Sequence, residues 1–152
     1  FAHLGDEQAR EYFLSLKRNG IQVMAGNKHI AQAVAAGQVA FGLTDTDDAI
    51  IEVEKGHPVA IVYPDREPDQ LGTLFIPNTL SVIRGAAHPE EARRLIDYLL
   101  SRKVEAMLAA GASAQIPLRT DTEVEVRVET PRTVHAMKVN FEAAADVWNE
   151  TA

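Results

Sequence analysis

Residues 26–63 read GNKHIAQAVAAGQVAFGLTDTDDAIIEVEKGHPVAIVY, and this stretch decides the predicted fold. The predicted helices of the stretch span 28–36 and 47–55, and its predicted strands span 39–43 and 59–63. Gly37 and Gly56 follow the two helical segments, as glycine does at many helix ends. Because helices and strands alternate with short connections, the sequence predicts an α/β fold with a mixed sheet flanked by helices.

The same reading extends over the rest of the chain. Further helices are predicted at 6–19, 88–101, 104–110 and 133–149, and further strands at 21–24, 73–76 and 80–84. Pro89, followed by two glutamates, is typical of a helix start. The chain of 152 residues is long enough for one domain with a core.

Composition excludes several functions. The formal net charge of -7 disfavours nucleic acid and anionic membranes as partners, because either would require a surplus of lysine and arginine. The absence of cysteine excludes disulfides, thiolate zinc sites and a cysteine nucleophile. Serine and histidine occur in none of the spacings typical of hydrolases or metalloproteases, so the sequence predicts a protein that is not an enzyme.

The most distinctive string is GLTDTDDA at 42–49, which places three carboxylates within four residues where a predicted strand meets a helix. One interpretation is helix capping, with Thr44 or Thr46 as the N-cap and the acidic residues complementing the helix dipole. The other is a ligand site, because clustered carboxylate oxygens suit hard metal ions and ammonium groups. In the second interpretation Asp45, Asp47 and Asp48 bind the ligand together with Thr44 and Thr46. Asp45 and Asp47 are the candidate metal ligands.

Asn27 precedes another predicted helix directly after a strand. Capping of that helix is the structural interpretation. A polar contact to a ligand at a second strand end is the functional one, since ligands of parallel sheets bind beyond the carboxyl ends of strands.

A series of short strings resembles family 1 extracellular solute-binding proteins, and is most similar to those described as ferric-iron-binding receptors. The strings occur in the family's order, at 26–27, 34–40, 42–49, 61–65, 72–79 and 89–101. The resemblance implies a type II periplasmic-binding-protein-like fold with two lobes that hold a solute between them. It also implies a receptor that docks to the membrane permease of an ABC importer, in the periplasm or outside the cell, with a lipid anchor as an option.

The resemblance also implies how the chain is divided. Residues 1–72 would form an α/β segment of the second lobe, 73–101 would return to the first lobe, and 102–152 would be a C-terminal helical segment packing on the second lobe. The chain would then be the C-terminal half of a receptor, which fits a sequence that begins at Phe1 rather than methionine. Its partner would be the missing N-terminal half.

The resemblance implies a transported cation, with Fe³⁺ first and no catalytic cofactor. Ferric receptors place two adjacent tyrosines where this sequence has Thr46, Asp47 and Asp48. Aspartate oxygens can bind Fe³⁺ or another hard cation, or pair with a polyamine or other organic cation. Asn27 corresponds to a polar contact with the anion that accompanies the metal. A sensing or regulatory module of the same fold is the alternative function.

Overall fold

A computed structural model of the chain describes residues 1, 3–146 and 148. Its helices within this part are α1 (Asp6–Arg18), α2 (Asn27–Ala35), α3 (Thr46–Glu54), α4 (Pro89–Leu99), α5 (Arg102–Ala110) and α6 (Phe141–Asp146). The first five begin and end within two residues of their predicted bounds, so apolar periodicity and glycine stops located them correctly. The chain divides into two compact units, Phe1–Ala25 with Lys138–Ala152, and Gly26–Met137.

The predicted mixed α/β sheet is wrong. The described residues contain no strand, and their β-type pairing is limited to one isolated parallel bridge between Thr73 and Ala136. None of the segments 21–24, 39–43, 59–63, 73–76 and 80–84 forms a strand. Phe41 and Val62, within two of these segments, are 87% and 80% exposed. A strand requires a neighbour that supplies backbone donors and acceptors, and no described segment provides a ladder here.

The closing helix is shorter than predicted. Residues 133–140 are not helical, because backbone groups here bond to an earlier segment. The His135 N–H donates to the Arg66 carbonyl and the Met137 N–H to the Thr73 carbonyl, both at 2.9 Å. Val147 and Asn149, also assigned to this helix, lie outside the described residues. No helix in the described part of the chain has the length and apolar character needed to cross a bilayer.

In the unit Gly26–Met137, α2 contacts α3 and α4 contacts α5. Ile50 of α3, Ala114 and Val128 form a small buried cluster. Partly buried Val53, Ile61, Ile116 and Val126 pack against this cluster. The cluster therefore fixes α3 against the segments that follow α5, and this packing determines which side chains lie beside the N-terminus of α3.

The unit formed by Phe1–Ala25 and Lys138–Ala152 contains α1 and α6. Ala9 of α1 is buried, and three aromatic rings lie together at the start of the chain. The Phe1 and Phe13 rings stack with centroids 5.9 Å apart, and Tyr12 meets Phe13 edge to face at 5.6 Å. Ring contacts of this kind stabilise such a small helical unit beyond the area that they bury.

Candidate solute-binding site

Three acidic residues occupy the start of α3. Asp45 is the N-cap residue, with an extended backbone, and Asp47 and Asp48 lie in the first turn. The prediction that Thr44 or Thr46 caps this helix is wrong: no described side chain makes a cap hydrogen bond there. The Asp48 N–H instead donates to Asp47 Oδ1 at 3.1 Å. The carboxylates still complement the positive end of the helix dipole.

Asn27 brings the starts of α2 and α3 together. It is the first residue of α2, after Gly26 at the N-cap, so the prediction that it caps the helix is wrong. Its Nδ2 donates to Asp45 Oδ2, and the Thr44 hydroxyl donates to the Asn27 carbonyl oxygen at 2.9 Å. These bonds join residues 17 and 18 positions apart in the chain, so Asn27 belongs to the same polar group as the aspartates.

Two further polar residues complete this group. Gln115 Nε2 donates to Asp47 Oδ2 at 3.1 Å, and Asn78 Nδ2 donates to Gln115 Oε1 at 2.8 Å. The sequence did not single out Gln115, since a lone glutamine in an irregular stretch belongs to no motif. Asn78 directly follows Pro77, and a turn is enough to explain an asparagine at that position.

The side chains of Asp45, Asp47 and Asp48, here called the carboxylate cluster, each place a carboxylate oxygen within 4.8 Å of the others. Burial raises the pKa of Asp47, and its hydrogen bond with Asp45 and the charges of Asp45 and Asp48 raise it further. Burial acts to raise the pKa of Asp45 too, but hydrogen bonds with Asp47 and Asn27 outweigh it, so this pKa lies below the ordinary value. Asp47 is therefore the carboxyl group of this pair that takes up a proton first as the pH falls.

A cavity of about 1370 Å³ opens beside the cluster, and Thr44, Asp45 and Thr46 line it. Its other acidic lining residues are Glu52, Asp65 and Glu105, whereas no lysine, arginine or histidine of the described residues lines it. Much of the remaining lining is a set of exposed apolar side chains, here called the apolar wall. The apolar wall comprises Phe41, Leu43, Val62, Ile76 and Leu118.

The structure thus brings together all six residues that the sequence indicated, Asn27, Thr44, Asp45, Thr46, Asp47 and Asp48, in one unit of the chain. A carboxylate cluster beside an open, largely apolar cavity is a candidate ligand-binding site. The family model for bacterial extracellular solute-binding proteins matches residues 1–143, and the chain belongs to this family. The resemblance to extracellular solute-binding proteins is therefore confirmed.

Among curated proteins, the chain is similar to a "putative 2-aminoethylphosphonate-binding periplasmic protein" of Salmonella typhimurium and to the protein of the same description from Salmonella typhi. Each is 25% identical over 121 residues, which cover 80% of this chain and 33% of the relative. The chain thus spans about a third of the length of these relatives. No solved structure matches significantly.

Proposed function

We propose that this chain is part of the solute-binding receptor of an ABC importer, and that its carboxylate cluster binds a cationic group of the solute. The observation that carries the proposal is the charge of the cavity. Four carboxylate side chains line it, and no basic side chain of the described residues does. A concave surface with charges of one sign and apolar walls concentrates ligands of the opposite charge.

A solute with an ammonium group fits this charge. The relatives are named for 2-aminoethylphosphonate, a small molecule with an ammonium group at one end and an anionic phosphonate at the other. The carboxylate cluster would attract the ammonium end and repel the phosphonate end. In this proposal the ammonium group binds at Asp45, the carboxylate of the cluster that lines the cavity. Asn27 holds the Asp45 carboxylate in place, and Thr44 and Thr46 line the cavity beside it.

A hard metal cation, including Fe³⁺, is the second candidate. Three carboxylate oxygens within 4.8 Å of one another favour it, since hard cations prefer clustered oxygen ligands. The tyrosine pair of ferric receptors does not occur at this position, so Asp45 and Asp47 would have to supply the anionic ligands.

Isothermal titration calorimetry separates these candidates. The probes are 2-aminoethylphosphonate, putrescine, ethylphosphonate and ferric citrate. We expect the two amines to bind and ethylphosphonate, which lacks the ammonium group, not to bind. Asp45→Asn should weaken amine binding by about tenfold or more, because it removes a charge-assisted contact.

The matched control is Asp69→Asn, which makes the same change at an exposed residue outside the cavity lining. Equal binding of ethylphosphonate and 2-aminoethylphosphonate would contradict the cationic site. If Asp45→Asn and Asp69→Asn weakened amine binding equally, that result would also contradict the cationic site. Binding of ferric citrate alone would favour the metal.

The partners in this proposal are the membrane permease and a polypeptide that corresponds to the part of the relatives not spanned by this chain. The exposed apolar wall supports the second partner, because exposed apolar patches of this kind mark interaction sites. The place of action is the periplasm or the cell exterior, as the family description suggests. A sensing module would use the same site without a permease, and transport assays with the permease present distinguish the two.

A further inference from the structure

Residues 59–63, here called the open edge, follow α3 and alternate in exposure. Ile61 packs against the buried cluster of the unit, whereas Val62 is 80% exposed and Ala60 is exposed as well. The two end residues are half-buried, as Ile61 is. Alternation of this kind is that of an extended segment with one face on a core. The open edge therefore turns one apolar face to the core and the other to solvent.

The main chain of the open edge is unpaired. No backbone donor or acceptor of residues 60–63 has a hydrogen-bond partner in the part of the chain that the structure describes. The segment also borders two cavities, since Val59, Ala60 and Ile61 line both the one of about 1370 Å³ and a second one of about 520 Å³. A second extended chain therefore has room to approach, and unpaired edges bind another chain through main-chain hydrogen bonds.

Charges at the two ends make the open edge complementary to itself. The segment itself carries no charge, but Lys55 and His57 precede it and Asp65 and Glu67 follow it. Antiparallel pairing of two copies sets the basic end of one beside the acidic end of the other. Parallel pairing would set like charges side by side, which is destabilising.

The end charges stay accessible although they have partners within the chain. Lys55 and His57 both contact Glu52, yet their side chains are 51% and 44% exposed. Arg66, which lies between the two acidic residues, is engaged by Glu129 at 3.0 Å. The acidic end therefore keeps the charge that an approaching basic end requires.

The same charges fix the register of an antiparallel pair. The basic and acidic residues are spaced equally from Ile61, so a two-fold axis at Ile61 brings each base opposite an acid. In this register Ala60 lies opposite Val62, and Val59 lies opposite Tyr63. Every cross-chain pair within the open edge then joins uncharged side chains, which is the arrangement that stabilises adjacent extended chains.

We propose that two copies of this chain pair antiparallel along the open edge, in the register centred on Ile61, where no other polypeptide covers the apolar wall. This inference goes beyond the proposed function and requires no solute. Val62 belongs to the apolar wall and to the open edge, so the second copy and the polypeptide partner proposed above compete for it. The contact is short, and the dimer is expected to dissociate on dilution.

Cysteine cross-linking tests the register, because the chain has no cysteine of its own. Ala60→Cys and Val62→Cys are prepared separately, mixed and oxidised. Directly opposed residues of an antiparallel pair have Cα atoms about 4.5–5.5 Å apart, within disulfide range, whereas diagonal positions are about 7–8 Å apart. We expect several-fold more linked dimer in the mixture than in either variant alone.

Val23→Cys is the matched control, since Val23 is 90% exposed and belongs to the other unit. Mixed with Ala60→Cys, it should give no more linked dimer than Ala60→Cys alone. If Ala60→Cys linked to Val23→Cys as readily as to Val62→Cys, the proposed register would be overturned.

Sedimentation equilibrium at a series of concentrations tests the dimer without cysteines. Val62→Asp should weaken dimer formation by about tenfold or more, because it sets a charge against the apolar side chain of Ala60. Val23→Asp makes the same charge change and should dimerise as the parent does. Circular dichroism checks that both variants keep the helices. A parent that is monomeric at every concentration, or a dimer that Val62→Asp leaves unchanged, rules the proposal out.

Discussion

The carboxylate cluster lies beside the cavity that the apolar wall lines, and its Asp45 lines that cavity too, yet the two groups differ in their contacts with the rest of the chain. The aspartates accept hydrogen bonds from Asn27 and Gln115, which come from distant parts of the chain. The apolar wall has no comparable cover: Phe41 is 87% and Ile76 is 72% exposed. A few hydrogen bonds satisfy the donors and acceptors of a polar group. An apolar surface is stabilised only when its area is removed from water.

This difference indicates which part of the site belongs to this chain alone. The cluster is already oriented by contacts within Gly26–Met137, so its charge and its hydrogen bonds are properties of the chain. The wall exposes apolar side chains that globular proteins seldom expose together. Binding of a cation and covering of the wall are therefore expected to respond to different substitutions.

The largest effect is expected at Gly72, which lies where the backbone at Thr73 pairs with that at His135 and Met137. Gly72 has a φ of 100°, and a Cβ there would lie 2.5 Å from the Met137 backbone nitrogen. Gly72→Ala should lower the free energy of unfolding by about 3 kcal/mol or more, since it adds a backbone clash to a left-handed conformation. Urea unfolding measures this loss.

Gly37→Ala is the control for that substitution. Gly37 also has a positive φ, 69°, but a Cβ there meets nothing within 4 Å. It should cost about 1 to 2 kcal/mol, the cost of the left-handed conformation by itself. Equal losses at the two glycines would show that the contact between Gly72 and Met137 contributes nothing to stability.

The next largest effect is the pH dependence of putrescine binding at the carboxylate cluster. Because the pKa of Asp47 is raised above its ordinary 3.8, a proton competes with a bound cation until the pH exceeds that raised value. Putrescine affinity should therefore increase with pH through this window, by up to about tenfold per pH unit, and level off above it. Asp45 does not set the window, because its lowered pKa keeps it ionised there.

Calorimetry in two buffers with different ionisation enthalpies measures the proton released when putrescine binds. Asp47→Asn, which cannot titrate, should bind putrescine with an affinity that is nearly independent of pH in the same window. An equally steep pH dependence in Asp47→Asn would assign the proton to another group, and Asp48 would be the next to examine, since its pKa is also raised by burial and by the charge of Asp45.

The helices could be predicted from sequence and the strands could not, for one physical reason. A helix satisfies its backbone within the segment, so apolar spacing and glycine stops locate α1 to α5. A strand depends on a partner, which the apolar runs at 39–43 and 59–63 do not specify. Likewise, the string at 42–49 predicted a cation site, but it could not predict that Gln115 lies beside it. Gln115 reaches Asp47 because the neighbouring Ala114 packs on Ile50 of α3.

The smallest change in stability is expected at the apolar wall. Replacing Phe41 and Ile76 together by serine should change the free energy of unfolding by no more than about 0.5 kcal/mol per residue, because both side chains are already exposed. The fluorescence of a bound apolar dye, anilinonaphthalene sulfonate, should nevertheless fall, because two of the five side chains of the apolar wall are removed.

Val23→Ser is the matched control for the wall, since Val23 is 90% exposed but belongs to the other unit and does not line the cavity. It should leave dye fluorescence nearly unchanged. If Val23→Ser lowers the fluorescence as much as the double substitution, the dye reports general exposure and the wall is not a distinct surface. If only the double substitution lowers it while putrescine affinity is retained, the wall and the carboxylate cluster are separate surfaces of one cavity, and the wall is available for the proposed polypeptide partner.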